Sequence, residues 1–403
     1  MKTLRLLFLM LTVQVSAQDI RSIQLFNPQT NDHTAVIGFN EQLILRFDDL
    51  TNSSTIYRYT LKHYDRNWND DGLFFTEYAN GSLNGMIDEF QYSFNTYQKY
   101  THYKLAFPNE KISPKISGNF EIVVYKDSPD RPLFTRRFCV AENGASVGVA
   151  VTRFSDARNP QLNQRVEIQA VGSGSALISN INSVTLNVIQ NNNWNIGVYD
   201  VRPGSTLGNK LLFQQLNLTF PGNNEFYYFD NKLMNQPFDM VAGAEVKDGV
   251  NYTYLYPVWA YPMNYQYQPD VNGAFYFRRN DLGIERDAYR EGDYSWVNFS
   301  LDSEPLNKKL YVLGGFNDYR PSKESEMIYD EAHKRYTAGI FLKQGFYNYI
   351  LATENPDGSL NYGEINGNFW QTENLYQAFL YYRPFGRNYD GLIGYGEFRT
   401  PIR

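Results

Sequence analysis

Residues Gln91–Tyr125 read QYSFNTYQKYTHYKLAFPNEKISPKISGNFEIVVY, and this stretch decides the fold. In HYKLAF, Tyr103, Leu105 and Phe107 fall on one face and Lys104 on the other. In NFEIVVY, Phe120, Ile122 and Val124 oppose Glu121. A period of two marks half-buried antiparallel strands, and the polar, proline-punctuated run between them is a connection. Working outward, Leu43, Leu45 and Phe47 alternate with Ile44 and Arg46, and Tyr57, Tyr59 and Leu61 with Arg58, Thr60 and Lys62. FTRRFCV at 134–140 supplies a further strand, so residues 18–143 read as an N-terminal β-sandwich. One irregular stretch interrupts it, Asp65–Glu89, where Trp68, Phe74, Phe75 and Tyr78 sit among Asn, Asp and Gly. A connection of that length inside a compact domain is usually functional or mobile, and it reads as too polar and glycine-bearing to be a strand. The ENGAS run at 142–146 reads as a hinge.

The same grammar continues downstream. VEIQAV, VTLNVI and EFYYFD are strands separated by Asn- and Gly-rich connections, which places a second sandwich over 144–281. WAYPMNYQYQPD reads as an extended segment near its end. Residues 282–403 form a third sandwich, with YSWVNFSL, KLYVLGGFNDY, YTAGIFL, FYNYILATE and NLYQAFLYY as strands and PDG as a tight turn. No helical period of useful length occurs. The fold class is therefore all-β, three tandem antiparallel β-sandwiches of the immunoglobulin or fibronectin kind. The order VLGGFNDY, polar loop, strand, QGFYNY resembles starch- and glycogen-binding sandwich modules. That resemblance implies a sugar-stacking face, with Tyr319 standing where such modules often carry a Trp, and Trp370 in the GNFWQTEN turn as a second candidate ring.

Composition narrows the function. The net charge is −6 and no basic patch stands out, which argues against nucleic acid as a partner. Residues 1–17 read as a cleavable export signal, with Lys2 and Arg5 before an apolar run and Val15-Ser16-Ala17 ahead of Gln18. That run is shorter than the ~18–20 residues a membrane-spanning helix needs. Cys139 is the only cysteine, so no internal disulfide forms, and its place in RRFCV reads as buried packing. Aromatic residues make up 16% of the chain, with 33 Tyr and 28 Phe; they favour pleated sheets, and most read as core and cross-strand packing.

No catalytic constellation is legible. His33, His63, His102 and His333 form no close metal-ligand pair, and one cysteine leaves no structural zinc site. There is no G-x-S-x-G elbow, H-E-x-x-H helix or phosphate-binding glycine loop. The expectation is a non-enzyme with no catalytic residues, no cofactor and no metal. The Asn69-Asp70-Asp71-Gly72 and Asn355-Pro356-Asp357-Gly358 runs group oxygen ligands beside a glycine, but both lack EF-hand spacing and read as turns. Glycosidases need only two carboxylates across a cleft, and with 43 acidic residues that chemistry stays open.

The first sandwich resembles the first domain of the plug proteins of the Bacteroidetes type IX secretion system. The likeness rests on YSFNT-x-x-x-YTHY, on L-x-FPNE, on SGNF before a strand, and on Asp65, Trp68, Glu77, Tyr78 and Gly81 in a D-x-x-W then EY-x-x-G pattern. TENLYQAFLYYRPFGRNYDGLIGYG near the C-terminus fits as well. The resemblance implies a periplasmic protein, peripheral to the inner face of the outer membrane and monomeric when free. It would close the periplasmic mouth of the outer-membrane translocon β-barrel when no substrate is engaged. Trp68, Phe74, Phe75 and Tyr78 are the candidate interface residues. A carbohydrate-binding envelope protein, using Tyr319 and Trp370, is the alternative.

Overall fold

The computed structural model describes residues 19–30, 33–153, 162–215 and 218–401. The expected export signal, residues 1–17, lies outside them. The chain is built from strands, as the period-two alternation requires, and forms three sandwich units.

The first unit holds β1 (Ile20–Phe26), β2 (Val36–Ile37), β3 (Leu43–Asp49), β4 (Tyr57–Tyr64), β5 (Ala79–Gly81) and β6 (Gly85–Ile87). It continues with β7 (Glu89–Tyr92), β8 (Thr101–Phe107), β9 (Ile112–Pro114), β10 (Gly118–Tyr125) and β11 (Phe134–Val140). Two sheets, ordered β1-β3-β8-β7 and β2-β11-β10-β4-β6, face each other. The faces read from the sequence are the buried ones: Phe47, Tyr59, Tyr103, Phe107, Phe120 and Ile122 fill the core, with Phe47 and Tyr103 stacked at 5.0 Å. Only Asp88 separates β6 from β7. A single extended run therefore pairs with β4 through Ile87 and with β8 from Glu89, switching sheets along one side of the sandwich.

The Asp65–Glu89 segment is more regular than expected. It contains β5, β6 and a single helical turn at Phe75–Tyr78, and β5 pairs with β9. Strands of three residues are too short to show an alternation. The ENGAS run is not a free hinge either: Glu142 N–H donates to Leu392 O (2.7 Å) and Gly144 N–H to Ile393 O (3.0 Å).

The second unit begins with β12 (Ala145–Arg153), β13 (Asn163–Gly172), β14 (Val184–Gln190), β15 (Asn193–Val201), β16 (Ser205–Leu207), β17 (Lys210–Phe213) and β18 (Thr219–Pro221). The third holds β19 (Tyr227–Asp230), β20 (Val241–Lys247), β21 (Val250–Leu255), β22 (Val258–Trp259), β23 (Phe275–Phe277) and the hairpin β24–β25 (Asn280–Asp281, Ile284–Glu285). It continues with β26 (Tyr294–Asp302), β27 (Leu310–Leu313), β28 (Glu326–Asp330), β29 (Arg335–Lys343), β30 (Gly345–Glu354) and β31 (Leu360–Asn361). The chain then returns to the second unit with β32 (Leu375–Tyr382) and β33 (Gly391–Arg399).

This topology corrects the boundary expected between 281 and 282. β14 pairs with β32 over seven residues, Val184 opposite Tyr382 through Gln190 opposite Tyr376. Tyr376, Ala378, Leu380 and Ile393 lie in the same core as Val166, Ile168 and Leu186. β19 pairs with β30, so the EFYYFD strand belongs to the third unit. The third unit is thus an insertion in the second. Pairing is also not uniformly antiparallel: β2 runs parallel to β11, and β21 and β22 run parallel to β26. The Asn355–Ser359 turn is as expected, with Gly358 at a φ of 83° that favours glycine.

Candidate docking surface and the joints that hold it

The four aromatic residues singled out in Asp65–Glu89 do not form one surface. The Asp65 carboxylate accepts from the N–H groups of Asn67 (2.9 Å) and Asn69 (2.8 Å), a side-chain turn that leaves Trp68 at φ 65°. The indole is folded inward, edge-on to Trp194 at 4.9 Å and under the Arg137 guanidinium at 4.4 Å. It packs on a buried cluster of Cys139, Ile189, Phe379, Tyr381 and Leu392 between the first and second units. Tyr78 is also buried and donates to Leu61 O (2.9 Å), while Phe75 packs on the core of the first unit. Phe74 alone is presented to solvent, 77% exposed. Asp70 and Asp71 are taken up locally, by Gly72 N–H and by His63 Nδ1 (2.6 Å). Among the described residues no group of three or more His, Cys, Asp or Glu is arranged to hold a metal ion.

Tyr319 is corrected outright as a sugar platform. It is 3% exposed, packed with Phe226 and Tyr362, and its hydroxyl donates to Asn191 O (3.3 Å) of the second unit. A ring in that position seals a joint. Trp370 is half-buried in a turn, and its carbonyl accepts from Gln164 Nε2 (2.7 Å).

Three polar joints weld the units. Between the first and third, Asp48 and Lys343, both with fully buried side chains, meet at 2.6 Å. Asp48 also accepts from His102 Nδ1 (2.6 Å) and Tyr294 hydroxyl (2.7 Å). Burial works against its charge, but Lys343 and His102 outweigh it and hold the Asp48 carboxyl below its usual range. Because a carboxylate only accepts, Nδ1 of His102 carries the proton. Nearby, the Asp293 carboxylate accepts from Tyr97 N–H (2.6 Å) and Gln98 N–H (3.0 Å). Between the first and second units, Arg66 reaches Asp200 (2.6 Å) and Asp390 (3.2 Å). Sequence reasoning missed all of these, because no local pattern marks a partner hundreds of residues away.

The third joint lies where the chain crosses between the second and third units. Outgoing residues 222–226 lie against returning residues 366–374: Phe369 N–H donates to Asn223 O (2.7 Å) and Glu373 N–H to Glu225 Oε1 (3.0 Å). A Cβ on Gly222 would meet Phe369 O at 2.0 Å, so only glycine permits this approach. Tyr265 hydroxyl donates to Glu225 Oε1 (2.5 Å). Burial, with Asp270 and Glu373 close by, pushes the Glu225 carboxyl up to about 7. Asp270 rises to about 6, also chiefly by burial.

One group of exposed aromatic residues directly follows the expected segment. Phe90, Tyr92, Phe94 and Tyr97 are all more than a third exposed, on β7 and the loop after it. Leu282, at the tip of the β24–β25 hairpin, is fully exposed. Tyr97 and Leu282 line one open groove of about 590 Å³, with Asn95, Lys99, Arg279 and Asp293. An alternating EFQYSF at 89–94 was the signal that could have pointed there.

Residues 20–142 match the family described as type 9 secretion system plug protein 1st domain, and the first unit of this chain belongs to that family. The family points to a non-enzymatic structural protein associated with the cell envelope. Over the whole chain, a crystal structure of a hypothetical protein from Parabacteroides merdae ATCC 43184 is similar at 29% identity. The match covers 95% of this chain and 98% of that one, with a TM-score of 0.90, so the arrangement of all three units is shared. The BSP domain of a biofilm associated protein aligns at 9% identity over 95% of this chain and 59% of that one; its TM-score of 0.18 carries no argument. No curated protein matches the sequence. No helix among the described residues is long and apolar enough to cross a membrane.

Proposed function

We propose that this chain is a periplasmic plug, which closes the periplasmic mouth of the type IX outer-membrane translocon barrel while no substrate is engaged. The observation that carries the reading is the plug-family first unit joined to two further units through polar contacts, of which Asp48–Lys343 is fully buried. A stopper must resist deformation, because a wide pore leaks around any part that yields. It must also leave when substrate arrives, so its affinity has to be moderate and its contact reversible. A specific interface of ~1,200–2,000 Å² fits one side of a body this size. Phe74 and the exposed aromatic residues of 90–97 supply candidate contacts for it. The mature chain in this reading starts at or near Gln18 and acts as a monomer.

Deleting the gene tests the proposal. The outer membrane should become permeable to large antibiotics or dyes, and only in cells that retain the barrel. Unchanged permeability with the barrel present and otherwise unoccupied overturns it.

A further inference from the structure

We propose that the outer edge of β7 is a strand-docking site, taking an extended segment of a partner polypeptide whose apolar side chains alternate with polar ones. The inference rests on the reading that the chain works by docking, and it names the chemistry of that contact.

Backbone parity defines the edge. Ser93 N–H donates to Tyr100 O (2.8 Å), and β7 pairs with β8 as Glu89 opposite Lys104 through Tyr92 opposite Thr101. Antiparallel pairs alternate between bonded and non-bonded, so Glu89 and Gln91 bond β8 while the N–H and C=O groups of Phe90 and Tyr92 point outward. β7 is the last strand of its sheet, and all four of its residues are exposed. Arg290 Nε caps the outward carbonyl of Tyr92 at 3.4 Å, and Phe94 N–H donates to Arg290 O (3.0 Å). The open stretch therefore runs from Asp88 to Tyr92 and stops at the seam with the third unit.

Several other edges are shielded. β1 lies against the third unit through Arg21–Glu324 and Ser22–Tyr294, and β2 is reached from the second unit, where Asn192 and Gln377 bond Thr34. β20, an edge of the third unit, carries a bulge and the Glu245–Lys247 pair. β16 is only three residues long. Bulges, charges and short length are how sheets refuse foreign strands. β7 has no bulge and no proline. Its one charge, Glu89, is neutralised by Lys104 at 2.8 Å.

The side chains then select the occupant. Phe90 and Tyr92 lie on one face, 5.9 Å apart, and Phe90 reaches the core residue Tyr103 at 5.6 Å. An added strand places its own residues beside them on that face, where apolar side chains extend the sandwich core. Glu89 and Gln91 lie on the opposite face and favour polar partners. Phe94 and Tyr97 prolong the apolar strip toward the groove and Leu282.

The test uses the full mature chain and the translocon barrel solubilised in detergent. Phe90→Ala removes the ring and keeps the outward N–H; Phe90→Pro removes the donor and blocks the edge without touching the bonds to β8. Phe90→Pro should weaken binding about tenfold or more beyond Phe90→Ala, with melting temperature held. In the wild-type complex, the amides of Phe90 and Tyr92 should gain protection from hydrogen exchange. If wild type binds but Phe90→Pro binds like Phe90→Ala and the 88–92 amides exchange as in the free protein, the edge inference falls and the plug reading stands. If wild type does not bind the barrel, both fall.

Discussion

Lys343 of the third unit and Asp48 of the first form an ion pair of 2.6 Å in which neither side chain reaches solvent. Lys343 Nζ also donates to Tyr289 O (2.7 Å), and Tyr100 lies 4.1 Å from it as a cation–π partner. Desolvating two charges is costly, and only such dense satisfaction makes the pair tolerable.

Removing one member should therefore cost more than the pair is worth. Lys343→Met leaves Asp48 buried without its cation, and the expected loss is about 3–5 kcal/mol. Adding Asp48→Asn should recover part of it, a coupling that a double-mutant cycle by chemical denaturation reads directly. Additive losses would show that the two residues do not interact. The pH dependence follows from the lowered Asp48 carboxyl: its stabilisation is present above the unfolded-state pKa and is lost as pH falls through the lower folded value.

The crossing joint should titrate in the opposite sense. Glu225 and Asp270 are raised in the folded state, to about 7 and about 6. The folded protein then binds more protons than the unfolded chain between their ordinary values and these, so stability falls as pH rises through that window. For Glu225 the effect should be about 1–3 kcal/mol. Glu225→Gln, which keeps the shape and removes the charge, should flatten this part of the curve and raise the melting temperature at pH 8 relative to wild type. Thermal melts of both proteins from pH 5 to 8 check it. Parallel curves would place the titration elsewhere.

Trp68, Tyr78 and Phe74 should separate cleanly on substitution by Ala. Tyr78 is buried and Trp68 is partly buried with its ring packed on the cluster between units, and truncation of either should cost about 3–5 kcal/mol of stability. Phe74→Ala should leave the melting temperature nearly unchanged and weaken barrel binding by about 1 kcal/mol or more if it is a contact. Denaturation and binding measured on the same three variants distinguish the roles.

Ending the chain after Asp390 should unfold the second unit rather than trim the third. Leu392 and Ile393 are buried in and beside its core, and β33 pairs with β32 along eight residues of that strand. Limited proteolysis of the truncated protein should cut first within 145–221. Cleavage confined to 227–361 would contradict the pairing.

Strand identity was legible in the sequence, because each half-buried strand writes its own alternation: β3, β4, β8 and β10 lie where Leu45, Tyr59, Tyr103 and Ile122 predicted. Strand partnership was not. NLYQAFLYY alternates identically whether it pairs within the third unit or with VTLNVIQ some 190 residues earlier, and only the folded arrangement decides. The same limit hid the site. Tyr319 occupies the motif position of an exposed ring, but Gly273, whose added Cβ would meet its hydroxyl at 1.8 Å, brings the chain over it. Trp68 looked like a loop aromatic until Trp194 and Arg137 arrived from elsewhere to cover it.

A segment tied to its neighbour by one stretch of backbone can swivel; tied by two adjacent stretches, it keeps at most a single hinge line. The third unit is held in this second way by residues 222–226 and 366–374, and the Asp48–Lys343 contact lies off that line and locks it. Turning the third unit about that line would first have to break this contact. If the chain docks as proposed, its departure is expected to carry the three units together, at a rate set by the whole contact and not by the opening of one part.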